Sequence, residues 1–136
     1  MAQGTAVIVP VEPGIFITDI ASLQGAVQNS DYLTNSPVVG AKRGDVVQIY
    51  ATGAGQTQAA VLDGIAPPPG AETIYVPTVY FGYARAAVAF SGLTNYPGLW
   101  QINAYVPDQP GVSGLVPVYV VQNGVASNVA SVWIAP

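Results

Sequence analysis

Fifteen glycines and twelve prolines are spread along the whole of this 136-residue chain. Between them no 3.6-residue periodicity persists beyond about two turns. What the breakers leave is a series of short apolar, β-branched runs, the pattern of a sandwich or barrel rather than of a helical protein. The length fits one domain and supports a core without disulfide or metal staples.

The runs read as strands. Thr5–Val11 is rich in Val and Ile, and Ile15–Thr18 and Gly25–Gln28 are short pieces. Val46–Ala51 is a strong strand behind the turn Lys42-Arg43-Gly44-Asp45. Ile74–Phe81 is β-branched and aromatic, and its Pro77 predicts an edge strand or a bulge. Ala86–Phe90 follows. In Trp100–Val106, Trp100, Ile102, Ala104 and Val106 alternate with Gln101, Asn103 and Tyr105, so the first set faces one side and the second the other. Val116–Gln122 and Asn128–Ile134 form a hairpin through Asn123-Gly124-Val125-Ala126-Ser127, in which Asn-Gly is a strong turn signal. The long connection Gly53–Glu72 contains Pro67-Pro68-Pro69-Gly70, which cannot join a ladder, and is expected as a surface loop. Seven to nine short strands at this spacing predict an all-β immunoglobulin-like sandwich. Trp100 and Trp133 are expected in its core.

Composition narrows the function. Charged residues are 7% of the chain, against about 25% in ordinary soluble domains. A surface this neutral tends towards association and suits a packed or repetitive extracellular setting. The net charge is −4, and Lys42, Arg43 and Arg85 are the only basic residues. Three cations cannot make the phosphate contacts of a nucleic-acid binder, nor hold an acidic membrane surface. There is no Cys and no His, which removes disulfides, zinc sites, thiol nucleophiles and His-based triads. No run reaches the roughly 18 apolar residues of a membrane span, so no membrane insertion is expected. If the protein is secreted, its signal lies outside this chain, because Met1–Gln3 opens no signal-peptide pattern.

Candidate motifs have plain structural readings. Gly53-Ala54-Gly55-Gln56-Thr57-Gln58 follows a strand like a dinucleotide loop, but a third glycine and a following helix are both missing; a Gly-x-Gly turn accounts for it. Arg43-Gly44-Asp45 matches an integrin tripeptide, and a tight turn before Val46–Ala51 accounts for that. Lys42, in a polar turn, lacks the buried setting of an intramolecular Lys–Asn crosslink. The carboxylates Glu12, Asp19, Asp31, Asp45, Asp63, Glu72 and Asp108 form no calcium-loop pattern and no evident glycosidase pair. The chain is therefore expected to be no enzyme, with no catalytic residue, no metal site and no cofactor.

Several blocks occur in an ordered series: Pro13-Gly14-Ile15-Phe16, Gly25-Ala26-Val27, Asn35-Ser36-Pro37, Ala41–Gly53, Gly55-Gln56-Thr57, Pro97–Asn103 and the closing Val116–Ile134. The series resembles the uncharacterised C-terminal domain found in many copies in Acidobacteria of the Solibacter type, a bacterial immunoglobulin-like module at the end of large secreted or surface proteins. The resemblance runs from about Pro13 to Ile134. It departs at Ile74–Ala84, which is Tyr-rich and lacks the family's Gly-Gly pair. It implies the immunoglobulin-like fold and an extracellular or cell-surface location, and implies no activity.

Two function classes follow. The first is a structural module, in a tandem array or as a self-assembling filament subunit. Thr5, Ala6, Val7, Ile8, Val9 and Val11 form an extended uncharged segment that can complete its own sheet or add to the edge of a neighbouring copy. Val7-Ile8-Val9-Pro10 echoes Val132–Pro136, so residues 1–12 read as the tail of a preceding module or a donor strand, and 13–136 as the domain itself. The second is a module for a glycan or a surface protein that uses Tyr75, Tyr80, Tyr83 and Tyr96, since aromatic platforms stack on sugars and anchor interfaces. One of the neighbours Tyr80 and Phe81 must face outwards.

Overall fold

A computed structural model describes residues 3–5, 9–59, 61–62, 64–68 and 71–136. Among them there is no helix. There are twelve strands: β1 (Gly14–Ile15), β2 (Ile17–Asp19), β3 (Gln24–Gly25), β4 (Val27–Gln28), β5 (Val46–Thr52), β6 (Thr78–Phe81), β7 (Ala84–Ala86), β8 (Val88–Leu93), β9 (Trp100–Tyr105), β10 (Gly114–Gln122), β11 (Val125–Ala126) and β12 (Ala130–Ile134). They form two sheets. Sheet I runs β1-β5-β9-β8, with β4 also on β5. Sheet II runs β2-β3-β12-β10-β6-β7, with β11 also on β10. Every pairing is antiparallel except β3 with β12, where Gln24 lies opposite Ser131.

Strict alternation builds the core between the sheets. Val47, Ile49 and Ala51 of β5 and Trp100, Ile102 and Ala104 of β9 point inwards from sheet I. Val79 and Phe81 of β6, Val116, Val118 and Val120 of β10 and Val132 and Ile134 of β12 meet them from sheet II. Each fully buried side chain of this size stabilises the fold by about 1.5–3 kcal/mol. The four-residue alternation expected from Trp100 to Val106 is present in full. The indole of Trp100 stays satisfied because its Nε1–H donates to Ser91 Oγ at 2.9 Å, and Ser91 Oγ lies 2.7 Å from Thr73 Oγ1.

Five expectations change. Ala86–Phe90 is not one strand: the chain leaves sheet II at Ala86 and enters sheet I at Val88, so Ala87 is a crossing point. The segments read as Ile15–Thr18 and Gly25–Gln28 cross between sheets in the same way at Phe16 and Ala26. Pro77 marks no edge. It sits just before β6, an interior strand between β10 and β7, where its missing N–H costs no ladder bond. Trp133 is not core: Val132 and Ile134 take the inner face, which turns Trp133 outwards, half-buried. The five-residue hairpin connection is in fact a two-residue turn. Asn123 (φ 48°) and Gly124 (φ 78°) join β10 to β11, with Gln122 opposite Val125, the paired positive φ of a type I′ turn.

Candidate interaction surfaces

On the outer face of sheet II, register brings three side chains into one row. Tyr119 of β10 lies opposite Tyr80 of β6, and Tyr80 opposite Arg85 of β7. The two tyrosine rings are 5.1 Å apart and 15° from parallel. Rings stacked across neighbouring strands cover each other's facing surfaces and leave their outer faces and hydroxyl edges free. Tyr80 is the outward member of the Tyr80-Phe81 pair, and Phe81 is buried. Tyr83 stands fully exposed in the Gly82-Tyr83 turn beside them, over a shallow cleft that also touches Tyr119, Leu115 and Pro117.

Tyr96 belongs elsewhere, on the outer face of sheet I. With Phe16, Tyr50, Asn95, Leu99 and Gln101 it lines a groove of about 450 Å³. The floor is clamped by main-chain bonds at the Phe16 crossing: Phe16 N donates to Tyr50 O at 3.1 Å, and Phe16 O accepts from Ala26 N at 2.7 Å. Tyr50 is half-buried, and its hydroxyl donates to Gln28 Oε1 at 2.7 Å. Burial, with a smaller contribution from Tyr32, pushes its phenol above the usual tyrosine value of 10.0. Gln101 lies opposite Tyr50 in the ladder. The loop that presents Tyr96 is closed on itself by Thr94 N to Leu99 O at 2.9 Å and Tyr96 N to Thr94 Oγ1 at 3.0 Å.

The four tyrosines singled out from sequence therefore do not form one platform. Tyr80 and Tyr83 share sheet II, while Tyr96 lies on sheet I. Tyr75 precedes β6; its carbonyl accepts from Gln122 Nε2 and Thr73 Oγ1, and its ring is partly exposed. Sequence reasoning missed Tyr119, Tyr50 and Phe16. Alternation within Val116–Gln122 and Val46–Ala51 already turns Tyr119 and Tyr50 outwards, but their partners come from strands distant in sequence.

The assembly segment is partly visible. Ala6, Val7 and Ile8 lie outside the described residues. Thr5 and Val9 are exposed, whereas Val11 is buried. Glu12 N donates to Gly53 O at 3.0 Å, and Val11 packs beside Gly55 of its own chain. The edge strands β1 and β8 of sheet I are covered. Asn128 bonds both polar main-chain atoms of Ile15 in β1, through Oδ1 at 2.7 Å and Nδ2 at 3.1 Å. Residues 71–73 lie along β8, with Thr73 N on Ser91 O and Leu93 N on Ala71 O. Such cover is how sheets resist edge-to-edge growth.

Charged groups are scattered. Arg43 approaches Asp108 at 3.8 Å on the surface, a pair worth about 0–1 kcal/mol. In the Arg43-Gly44-Asp45 turn, Gly44 has φ 84° and Gly44 N donates to Val106 O. Lys42 is exposed. The Ser22 hydroxyl and the N–H groups of Ala21 and Ser22 hold Asp19 below the usual carboxylate value. Among the described residues no three His, Cys, Asp or Glu side chains gather. A cleft of about 680 Å³ lined by residues 52–59, Leu62, Ile65 and Pro97-Gly98 has no titratable side chain among its described lining residues. Gly53 and Gly55 there have φ of 82° and 75° in an irregular turn.

The molecule is an all-β protein of two sheets with tyrosine-bearing outer faces. Comparison with protein-family models, with curated proteins and with solved structures finds no match for the chain.

Proposed function

We propose that the chain is a non-enzymatic, immunoglobulin-like interaction module of a bacterial surface or secreted protein, which holds a carbohydrate or protein ligand against tyrosines on its sheet faces. The observation that carries this reading is the placement of Tyr80, Tyr83, Tyr96 and Tyr119 on the outer faces of the two sheets, with Tyr83 and Tyr96 exposed. Strand order supports the immunoglobulin assignment. β1-β5-β9-β8 corresponds to A-B-E-D, and β12-β10-β6 to G-F-C, with β3 beside G and β7 beside C as extra strands. The charge-poor surface and the resemblance to the Solibacter-type domain support the extracellular setting. The test is retention of the purified chain on arrays of glycans and surface proteins. Retention that falls when Tyr80 and Tyr83, or Tyr96, become Ala supports the reading, and an inert chain defeats it.

A second reading, a structural unit in a series of like modules, is favoured by the positions of Val11 and Ile134. Val11 sits beyond the end of β5, at Gly53–Gly55, whereas Ile134 pairs with Ala41, just ahead of the turn into β5. The two lie towards opposite ends of β5, a seven-residue strand about 23 Å long, as consecutive modules require. In its self-assembling form, Thr5–Val11 adds to a sheet edge of a neighbouring copy; β12 lies between β3 and β10 and does not supply that edge. Light scattering separates the forms: a 13.9 kDa monomer excludes the filament, and polymers lost on deleting residues 1–11 establish it.

A further inference from the structure

We infer that the groove of Phe16, Tyr50 and Tyr96 on the outer face of sheet I is a binding site for a neutral oligosaccharide. The inference rests on the reading of the chain as an interaction module, and it names the site and the ligand class.

Three aromatic side chains converge there from separate parts of the chain: the β1–β2 crossing, the middle of β5 and the Thr94–Leu99 loop. Phe16 is 45% exposed and Tyr96 65% exposed. Unlike the Tyr80–Tyr119 pair, they are not stacked on one another. The exposed surface of Phe16 and Tyr96 is open to the C–H face of a sugar ring, the usual partner of an open aromatic surface.

The polar lining supplies the rest. Asn95 carries a carboxamide, and Gln101 a second whose Nε2 already donates one hydrogen to Asn103 Oδ1 at 2.8 Å and whose Oε1 can still accept, so the lining can both donate to and accept from vicinal sugar hydroxyls; the Thr94 hydroxyl is spent within its own loop. None of the lining residues is charged. A charged ligand would lose hydration there without meeting a counter-charge, whereas a neutral polyol matches the site. The volume of about 450 Å³ falls within the roughly 300–1,000 Å³ of small-ligand sites. The Phe16–Tyr50–Ala26 clamp and the closed Tyr96 loop exist before any ligand arrives, so little ordering is required on binding.

The test is an array of neutral, acidic and basic glycans probed with the full chain, with spectra of the unmodified protein recorded while the best-retained glycan is titrated. The expected result is retention of neutral glycans that persists when salt is raised to about 1 M, where exposed ion pairs are screened. Tyr96→Ala and Phe16→Ala should each weaken it about ten-fold or more, with Val38→Ala, an exposed residue outside the groove lining, unchanged. Amide shifts in the unmodified protein should centre on residues 16, 50 and 94–101, which guards against a variant that fails to fold. Retention of acidic glycans alone overturns the inference. So does neutral-glycan binding lost in Tyr80→Ala and kept in Tyr96→Ala, which moves the ligand to sheet II and leaves the module reading intact. If no glycan is retained, the inference fails; a retained surface protein then preserves the module reading, and its absence removes both.

Discussion

The carboxamide of Asn35 pairs with both polar main-chain atoms of Trp133. Trp133 N donates to Asn35 Oδ1 at 2.7 Å, and Asn35 Nδ2 donates to Trp133 O at 2.8 Å. A buried side chain, 98 residues away in sequence, thus takes the place of a neighbouring peptide along β12. Asn29 Oδ1 also accepts from Asn35 Nδ2, and Gln24 Nε2 donates to Asn35 Oδ1. Asn35→Ala removes the partner of Trp133 N and of Asn29 Oδ1, while Trp133 O keeps Ala41 N and Gln24 Nε2 keeps Gly25 O. With about 1–3 kcal/mol for each group left unpaired, partly relieved by water, the expected loss is about 3 kcal/mol, read from urea unfolding.

Two glycines with the same backbone conformation should respond differently to alanine. Gly44 has φ 84° with open space where a Cβ would stand, whereas Gly53 has φ 82° and its Cβ would collide with Glu12 O. Gly44→Ala carries only the left-handed penalty of about 1–2 kcal/mol. Gly53→Ala must also push away the segment that seats Val11, so its loss should be clearly larger. Thermal unfolding of both variants checks the order, and equal losses refute the close approach.

The Tyr80–Tyr119 stack should appear as a coupling energy. A double-mutant cycle with Tyr80→Ala and Tyr119→Ala is expected to give about 0.5–1.5 kcal/mol beyond the sum of the single changes. Additivity within error would mean that the rings do not stack in solution.

Tyr50 makes stability fall in alkali. Its folded value lies above 10.0 because burial disfavours the phenolate, and the unfolded chain ionises near the ordinary value. The unfolded state therefore releases its proton first as pH rises. The contribution is complete below about pH 9 and is lost through pH 10 and above. Urea midpoints recorded across that window should decline less steeply in Tyr50→Phe than in the parent chain. Parallel slopes would place the alkaline loss on other groups.

Much of the fold is legible along the chain because alternation and turn chemistry are local. Trp100, Ile102, Ala104 and Val106 show their inward face without reference to any other strand. Asn123-Gly124 marks its own turn because few other pairs tolerate two consecutive positive φ values. The crossings at Phe16, Ala26 and Ala87 are not legible in this way. A chain that changes sheets keeps its extended conformation, and only the partner strand tells one sheet from the other. Pro77 misled for the same reason: its missing N–H is harmless one residue before β6, and where a strand begins depends on the reach of its neighbours.

The sequence by itself determined an all-β chain, most of its inward-facing residues, its tight turns and the lack of Cys and His chemistry, because each depends on the identity or spacing of near neighbours. Only the tertiary structure decided that Tyr80 stacks on Tyr119 and that Tyr96 joins Phe16 and Tyr50 on the opposite sheet. Those meetings are fixed by register between strands far apart in the chain, and by which sheet each strand enters. Both follow from how two inner faces fill a shared core, a property that no single segment carries.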